Sequence, residues 1–228
     1  MRKSKSEQKV NLVNRKLIIL DIVCFVVLPL VIWNNGRVFF SDYIAMLLST
    51  VPGFMYTIYR FRVERQFHIT GLFIITSLFI GTTVDLLSGS AERMLWNQIY
   101  LGLFYVVVHF IALVIRRPFA LYFAVDFVYL QGHPREETKR LFYQKGIFMW
   151  FQMIQLLFVI RGLFMAGLNT WLLKTYGVDG YNQMIIYRQI AGWFFGLLVA
   201  GMYIYINVPV RNYFQKQDAK TREKAEQI

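Results

Sequence analysis

Two arginines stand inside segments apolar enough to cross a bilayer: Arg161 within GIFMWFQMIQLLFVIRGLFMAGLNTWLL, residues 146–173, and Arg188 within residues 182–208. An ionisable group at the centre of a span costs about 2.5–3.5 kcal/mol on insertion scales, so each calls for a partner or a polar surrounding. By helix rise, Arg161 lies about 22 Å from the inner face and Arg188 about 9 Å below the outer one, which puts both in the outer half. Two like charges at one level require an anion between them or separate carboxylates. Asp85, near the outer end of an earlier apolar stretch, is the first protein candidate, and Glu92 in the following SGSAER turn is the second.

The chemistry open to Asp85, Arg161 and Arg188 is ion pairing or anion binding, and two readings stand side by side. In one, Asp85 pairs with an arginine to fix helix packing, or the arginines snorkel to the outer headgroups. In the other, Arg161 and Arg188 line an outward-facing cavity for an anionic solute or lipid headgroup, and Asp85 competes for the positive charge. Arg188, Gly192, Gly196 and Ala200 recur every four residues, as do Gly162 and Ala166 beside Arg161, so a neighbouring helix can approach these faces closely. The same face at Gly192, Gly196 and Ala200 offers a route to a homo-oligomer.

The remaining polar groups in apolar stretches read as packing contacts. Gln152 and Gln155 are spaced for interhelical hydrogen bonds, and His109 sits alone among valines and phenylalanines, whereas Asp21 lies close enough to Arg15, Lys16 and the interface to be solvated or paired. Pro29, Pro52 and Gly53 are places for the first two helices to kink. His68, His109 and His133 form no ligand pair at helical spacing, which predicts no metal site. There is no phosphate loop, HExxH or glycine-rich dinucleotide turn, and Ser49 and Thr50 have no histidine beside them. Enzyme is the least favoured class, and no cofactor is expected.

The elements that must carry these residues follow from composition. With 57% hydrophobic and only 17% charged residues, the chain is too apolar for a domain that must present a polar surface to water. A spanning helix needs roughly 20 mostly apolar residues, and six stretches qualify: 17–33, 42–59, 69–87, 97–115, 146–173 and 182–208. Helices are expected because lipid offers no partner to a backbone amide, and the alternation of a barrel strand is absent. The first stretch follows a basic start but precedes WNNGRVFF rather than a small-x-small cleavage pattern, so it reads as a retained anchor. Cys24 is the one cysteine, which excludes a disulfide framework.

Lys and Arg placement sets the orientation. Residues 1–16 hold six, RFRVER three, residues 116–145 six and the tail after Val208 five, whereas the opposing connections hold only Arg37, Arg93 and Lys174. Both termini are therefore expected in the cytoplasm. The same placement argues that the net charge of +12 belongs to cytoplasmic loops and not to a nucleic-acid surface. FALYFAVDFVYL, residues 119–130, would reach only about 18 Å as a helix and is read as lying in the cytoplasmic interface, with Asp126, Tyr122 and Tyr129 as its polar edge. The expected organisation is a basic tail over 1–16, a six-helix transmembrane domain over 17–208 that includes the interfacial helix and loop of 119–145, and a charged cytoplasmic tail over 209–228. No residue match between halves supports an inverted repeat.

At VPGFMYTIYRFRVER, VDLLSGSAERML and VIRRPFALYF the chain resembles small bacterial membrane proteins described as intracellular septation protein A-like. The features are Pro52, a basic loop, a small-residue turn before Arg93, and the pair Arg117 and Pro118. The resemblance covers residues 51–123, with a looser pattern through the last two helices. It implies a multi-pass protein of the bacterial inner membrane associated with septation and envelope upkeep, without catalytic residues to carry over. The long basic start and the charged C-terminal tail depart from the shorter septation proteins. The sequence thus leads to a non-enzymatic membrane scaffold for envelope or division partners that uses its basic cytoplasmic segments to hold anionic lipid or acidic proteins. The alternative is a small anion or lipid-headgroup transporter or channel using Arg161 and Arg188.

Overall fold

A computed structural model of the chain describes residues 19–63, 69–130 and 132–226, and the described residues are helical with no strand. Eight helices follow in order: α1 (Ile19–Phe39), α2 (Asp42–Val63), α3 (Ile69–Leu87), α4 (Ala91–Val114), α5 (Phe119–Leu130), α6 (Arg135–Phe142), α7 (Lys145–Tyr176) and α8 (Tyr181–Glu226). Residues 1–16, whose six basic groups weigh in the orientation, lie outside the described residues, as does Arg65 of the RFRVER loop.

Among the described residues, four stretches are long and apolar enough to cross a membrane: Ile19–Phe39, Thr70–Leu87, Ala91–Val114 and Lys145–Arg211. The last is 67 residues long and contains two helices, α7 and α8, joined by the 3-10 turn Gly177–Gly180. Gly177 takes φ +61°, a left-handed conformation that only glycine adopts without strain, and it ends α7. The arms run antiparallel, with the rings of Trp150 and Tyr205 at 4.5 Å and those of Phe164 and Phe195 at 5.7 Å. The spans carry large apolar side chains on their outer surfaces, with Phe79 72% and Leu197 74% exposed. Such surfaces suit hydrocarbon rather than water. α2, at 22 residues, is long enough to span by rise but carries Asp42, Arg60 and Arg62 within its length.

Contacts gather into two compact units, a division that composition does not mark because α4, α7 and α8 run unbroken through both. The first unit holds the chain up to Gly102 and Met165–Ala191; the second holds Leu103–Phe164 and the chain from Gly192. The core of the first is Trp33, Met46, Met94, Leu172 and Met184, closed by the edge of Tyr181 against Trp33 at 5.0 Å. Here α1 and α2 meet at Gly53, where an added Cβ would stand 2.9 Å from the Phe25 ring. A π turn at Val23–Val27 widens α1 directly before Pro29, whose ring would otherwise press on the carbonyl four residues back.

The core of the second unit joins α5 and α6 to the arms of the hairpin through Leu121, Val125, Phe142, Phe151, Ile154 and Ile206. The Arg-Arg-Pro stretch has a local explanation here. Arg116 takes φ 56°, its N–H reaches the carbonyl of Leu113 at 3.2 Å, and the N–H of Arg117 reaches that of Ala112 at 2.9 Å. That is a Schellman end for α4, after which buried Pro118 opens α5.

One expectation changes in detail. α5 is short as anticipated, but Asp126 is not a solvated edge: it is buried and accepts a hydrogen bond from Arg135 Nη2 at 3.2 Å, with the Arg135 guanidinium 4.4 Å from the Tyr129 ring. α6 supplies this cover because Pro134 turns the chain back over α5, a relation that single-helix periodicity does not contain. α8 continues past Val208 to Glu226 without interruption at Pro209.

Candidate functional site

The polar groups of the first unit form a chain across three helices. Gln98 of α4 donates from Nε2 to Asp85 Oδ1 of α3 at 3.0 Å and accepts at Oε1 from Arg188 Nη1 of α8 at 3.1 Å. Asp85 and Arg188 are therefore joined through an amide rather than directly. The arrangement balances one negative and one positive group inside apolar helices, and the amide serves each because it has a donor and an acceptor at opposite ends.

The turn between α3 and α4 holds Asp85 in place. Gly89 takes φ +72° and ends α3, the Ser90 hydroxyl accepts from the N–H of Arg93 at 3.3 Å, and Asn97 Nδ2 donates to Ser88 Oγ at 2.9 Å. Ser90 is thus the N-cap of α4. Glu92 is exposed in the first turn of α4, where its charge suits the helix dipole. Tyr43 of α2 reaches the carbonyls of Asp85 and Leu86 at 2.9 Å, which satisfies carbonyls at the end of α3. Deeper in the same unit, Ser49 donates to the Met46 carbonyl at 2.6 Å, so its 3.1 Å contact with Tyr181 must have the tyrosine as donor.

A second polar link lies in the second unit. Gln155 of α7 is fully buried; its Nε2 meets His109 Nδ1 and the His109 carbonyl, each at 2.9 Å, and its Oε1 accepts from the N–H of Phe119 at 3.0 Å. Because the glutamine nitrogen can only donate, His109 accepts at Nδ1 and carries its proton at Nε2. The Phe119 N–H is one of the unpartnered amides at the start of α5, so Gln155 acts as its remote cap. His109 is a helix contact in this arrangement, in line with the reading from sequence.

Arg161 belongs to this second unit, exposed on α7 and within electrostatic reach of His109. Of the three residues singled out as a charge cluster, Asp85 and Arg188 are thus linked through Gln98 in the first unit, and Arg161 belongs to the other. Gly162 is a close contact, since an added Cβ would overlap Val106 Cγ2 of α4, and Ala166 is buried in the first unit's core. The row on α8 is different: among the described residues, nothing lies within 4 Å of a Cβ placed at Gly192 or Gly196, and Ala200 is exposed. Among the described residues no helix fills that row, because closeness requires an opposing element as well as small residues.

Two features had gone unnoticed in the sequence. Gln98 carried the signal of an amide inside an apolar stretch, as Gln155 did, but its two partners are distant in sequence. Arg37 gathers the ends of α1, α2 and the 3-10 turn, donating to Asp42 at 2.9 Å and to Asp179, and lies 4.6 Å from the Trp33 ring. Asp21 pairs with Arg60 at 3.5 Å, whereas Arg15 and Lys16 lie outside the described residues. No group of three or more His, Cys, Asp or Glu side chains among the described residues is placed to hold a metal ion. Comparison with family models, curated proteins and solved structures gives no match.

Proposed function

We propose that the chain is a non-enzymatic scaffold of the bacterial cytoplasmic membrane that crosses it six times with both ends inside and serves septation or envelope upkeep. The observation that carries this reading is that two sets of polar side chains within the spans are linked to one another. Asp85, Gln98 and Arg188 link three helices, and Gln155 locks α4, α5 and α7, which is how a packed bundle holds its shape. The resemblance at residues 51–123 points to the septation setting, and the basic segments that flank the spans suit anionic lipid or acidic protein partners. Deletion should produce defects in division, shape or envelope integrity under osmotic or detergent stress, restored by a plasmid copy; unchanged cells under those stresses would refute the reading.

A transporter or channel for an anion or lipid headgroup is the competing reading, and the position of Arg161, an exposed residue part-way along α7, favours it. Single cysteines beside Arg161 and Arg188, in a Cys24→Ser background, distinguish the two. Protection of both from a membrane-impermeant thiol reagent in whole cells supports the scaffold, and labelling of both supports an outward-facing aqueous path.

A further inference from the structure

The second unit contains a cavity of about 900 Å³ that plays no part in the polar links. Its walls come from α5 (Phe123, Phe127), α7 (Phe158) and one face of α8, where Ala200, Tyr203, Asn207 and Arg211 follow one another at spacings of three and four. The volume is within the range of ~300–1,000 Å³ usual for ligand pockets. The character of the walls changes along α8: Ala200 and Phe158 make an apolar end, and Asn207, Arg211 and His133 make a polar, cationic one.

The dimensions identify the occupant. From Ala200 to Arg211 is 11 residues, about 16 Å by helix rise, close to half of the ~30 Å hydrocarbon core. The cavity therefore has the depth of one leaflet, with its polar end where a headgroup would be. Arg211 offers a permanent cation with a planar fork of donors suited to phosphate, and the Asn207 amide adds neutral donors. Asp126 is paired with Arg135, and Glu136 and Glu137 line a separate cavity with Arg140 and Tyr213. Small Ala200 leaves room at the deep end for an acyl chain.

We infer that this cavity is a specific site for one anionic phospholipid of the cytoplasmic leaflet, its phosphate at Arg211 and Asn207 and its chains between α5 and α8. The inference rests on the proposed orientation, which puts Arg211 at the inner face, and it deepens the scaffold reading by naming where lipid is held. A lipid rather than a soluble anion is specified because most of the wall is apolar and spans a leaflet.

The test is native mass spectrometry of the detergent-purified full chain titrated with phosphatidylglycerol or phosphatidylcholine of matched chains. The expected result is one retained phosphatidylglycerol, preferred over phosphatidylcholine, with Arg211→Gln lowering that preference about tenfold. Ala200→Phe, which fills the apolar end at an exposed position, should reduce retention of either lipid; size-exclusion profiles confirm that both variants are folded. Equal retention of the two lipids by the wild type would overturn the inference. So would an unchanged preference in Arg211→Gln, competition by glycerol phosphate as effective as by the whole lipid, or a second copy of the chain in place of lipid. Lipid retention is read on purified protein, so its failure alongside a clear deletion defect removes this site alone, whereas retention without any defect removes the scaffold reading alone.

Discussion

The two units solve a similar problem with the same side chain, a glutamine inside an apolar helix, but the groups they connect are different. Gln98 lies between a carboxylate and a guanidinium and spreads a balanced charge over α3, α4 and α8. Gln155 lies between a neutral ring, a carbonyl and the first amide of a short helix, and it caps the start of α5. A primary amide carries its donors on the nitrogen and its acceptor on the oxygen, so in a medium without water it can bridge two groups of opposite hydrogen-bonding need. In the first unit the result is compensation of charge; in the second it is placement of an element. Packing adds to the contrast, because lipid is as apolar as a leucine and helices in it are held by close contact rather than by exclusion of water.

The largest effect is expected at Gly162, which lies against Val106 of α4. Gly162→Leu should destabilise the protein by about 2–3 kcal/mol through overpacking, seen as a lower midpoint in thermal size-exclusion assays of detergent-solubilised protein. Gly196→Leu, in open space, should leave that midpoint within about 0.5 kcal/mol of wild type and report instead on association through crosslinking. Equal costs at the two glycines would contradict the contact assigned to Gly162.

Next comes Gln98→Leu, which strands the Asp85 carboxylate and the Arg188 guanidinium and should cost about 2 kcal/mol in denaturant titrations. The same change made in an Asp85→Asn, Arg188→Gln background should cost clearly less, since no charges remain to be bridged. Gln155→Leu should cost about 1 kcal/mol, in the range of neutral interhelical hydrogen bonds in membranes, and should speed proteolysis at the Arg117–Phe119 connection. If both glutamines cost the same, the distinction between compensating charge and placing a helix would collapse. The smallest change is Asp179→Asn at the exposed end of the Arg37 cluster, worth about 0.5 kcal/mol at low ionic strength and vanishing in high salt.

Much of this architecture is legible in the residues taken one segment at a time. Long apolar runs announce α1, α3, α4 and, despite Arg161 and Arg188, the hairpin arms; the SGSAER stretch announces the turn between α3 and α4, and the brevity of 119–130 announces α5. Less was legible at the sites. Asp85 and Arg188 were visible as costly charges, yet Gln98 between them looked like any amide near a helix start, because its role depends on two partners 13 and 90 residues away. Gly162 and Gly196 look alike as small residues in spans, and one is packed while the other is open. Asp126 reads as a polar edge until α6 folds back and Arg135 covers it.

The sequence by itself determined the solvent the chain is built for, the helical class, and which side chains would be costly to leave alone. These follow from local quantities: hydropathy over about 20 residues, the obligatory pairing of backbone amides in lipid, and the free energy of transferring a charge. Only the tertiary structure decided which polar groups meet, which glycines are filled and where a cavity opens between α5 and α8. Those depend on distances between segments far apart along the chain, and helical periodicity within one segment carries no term for its neighbour.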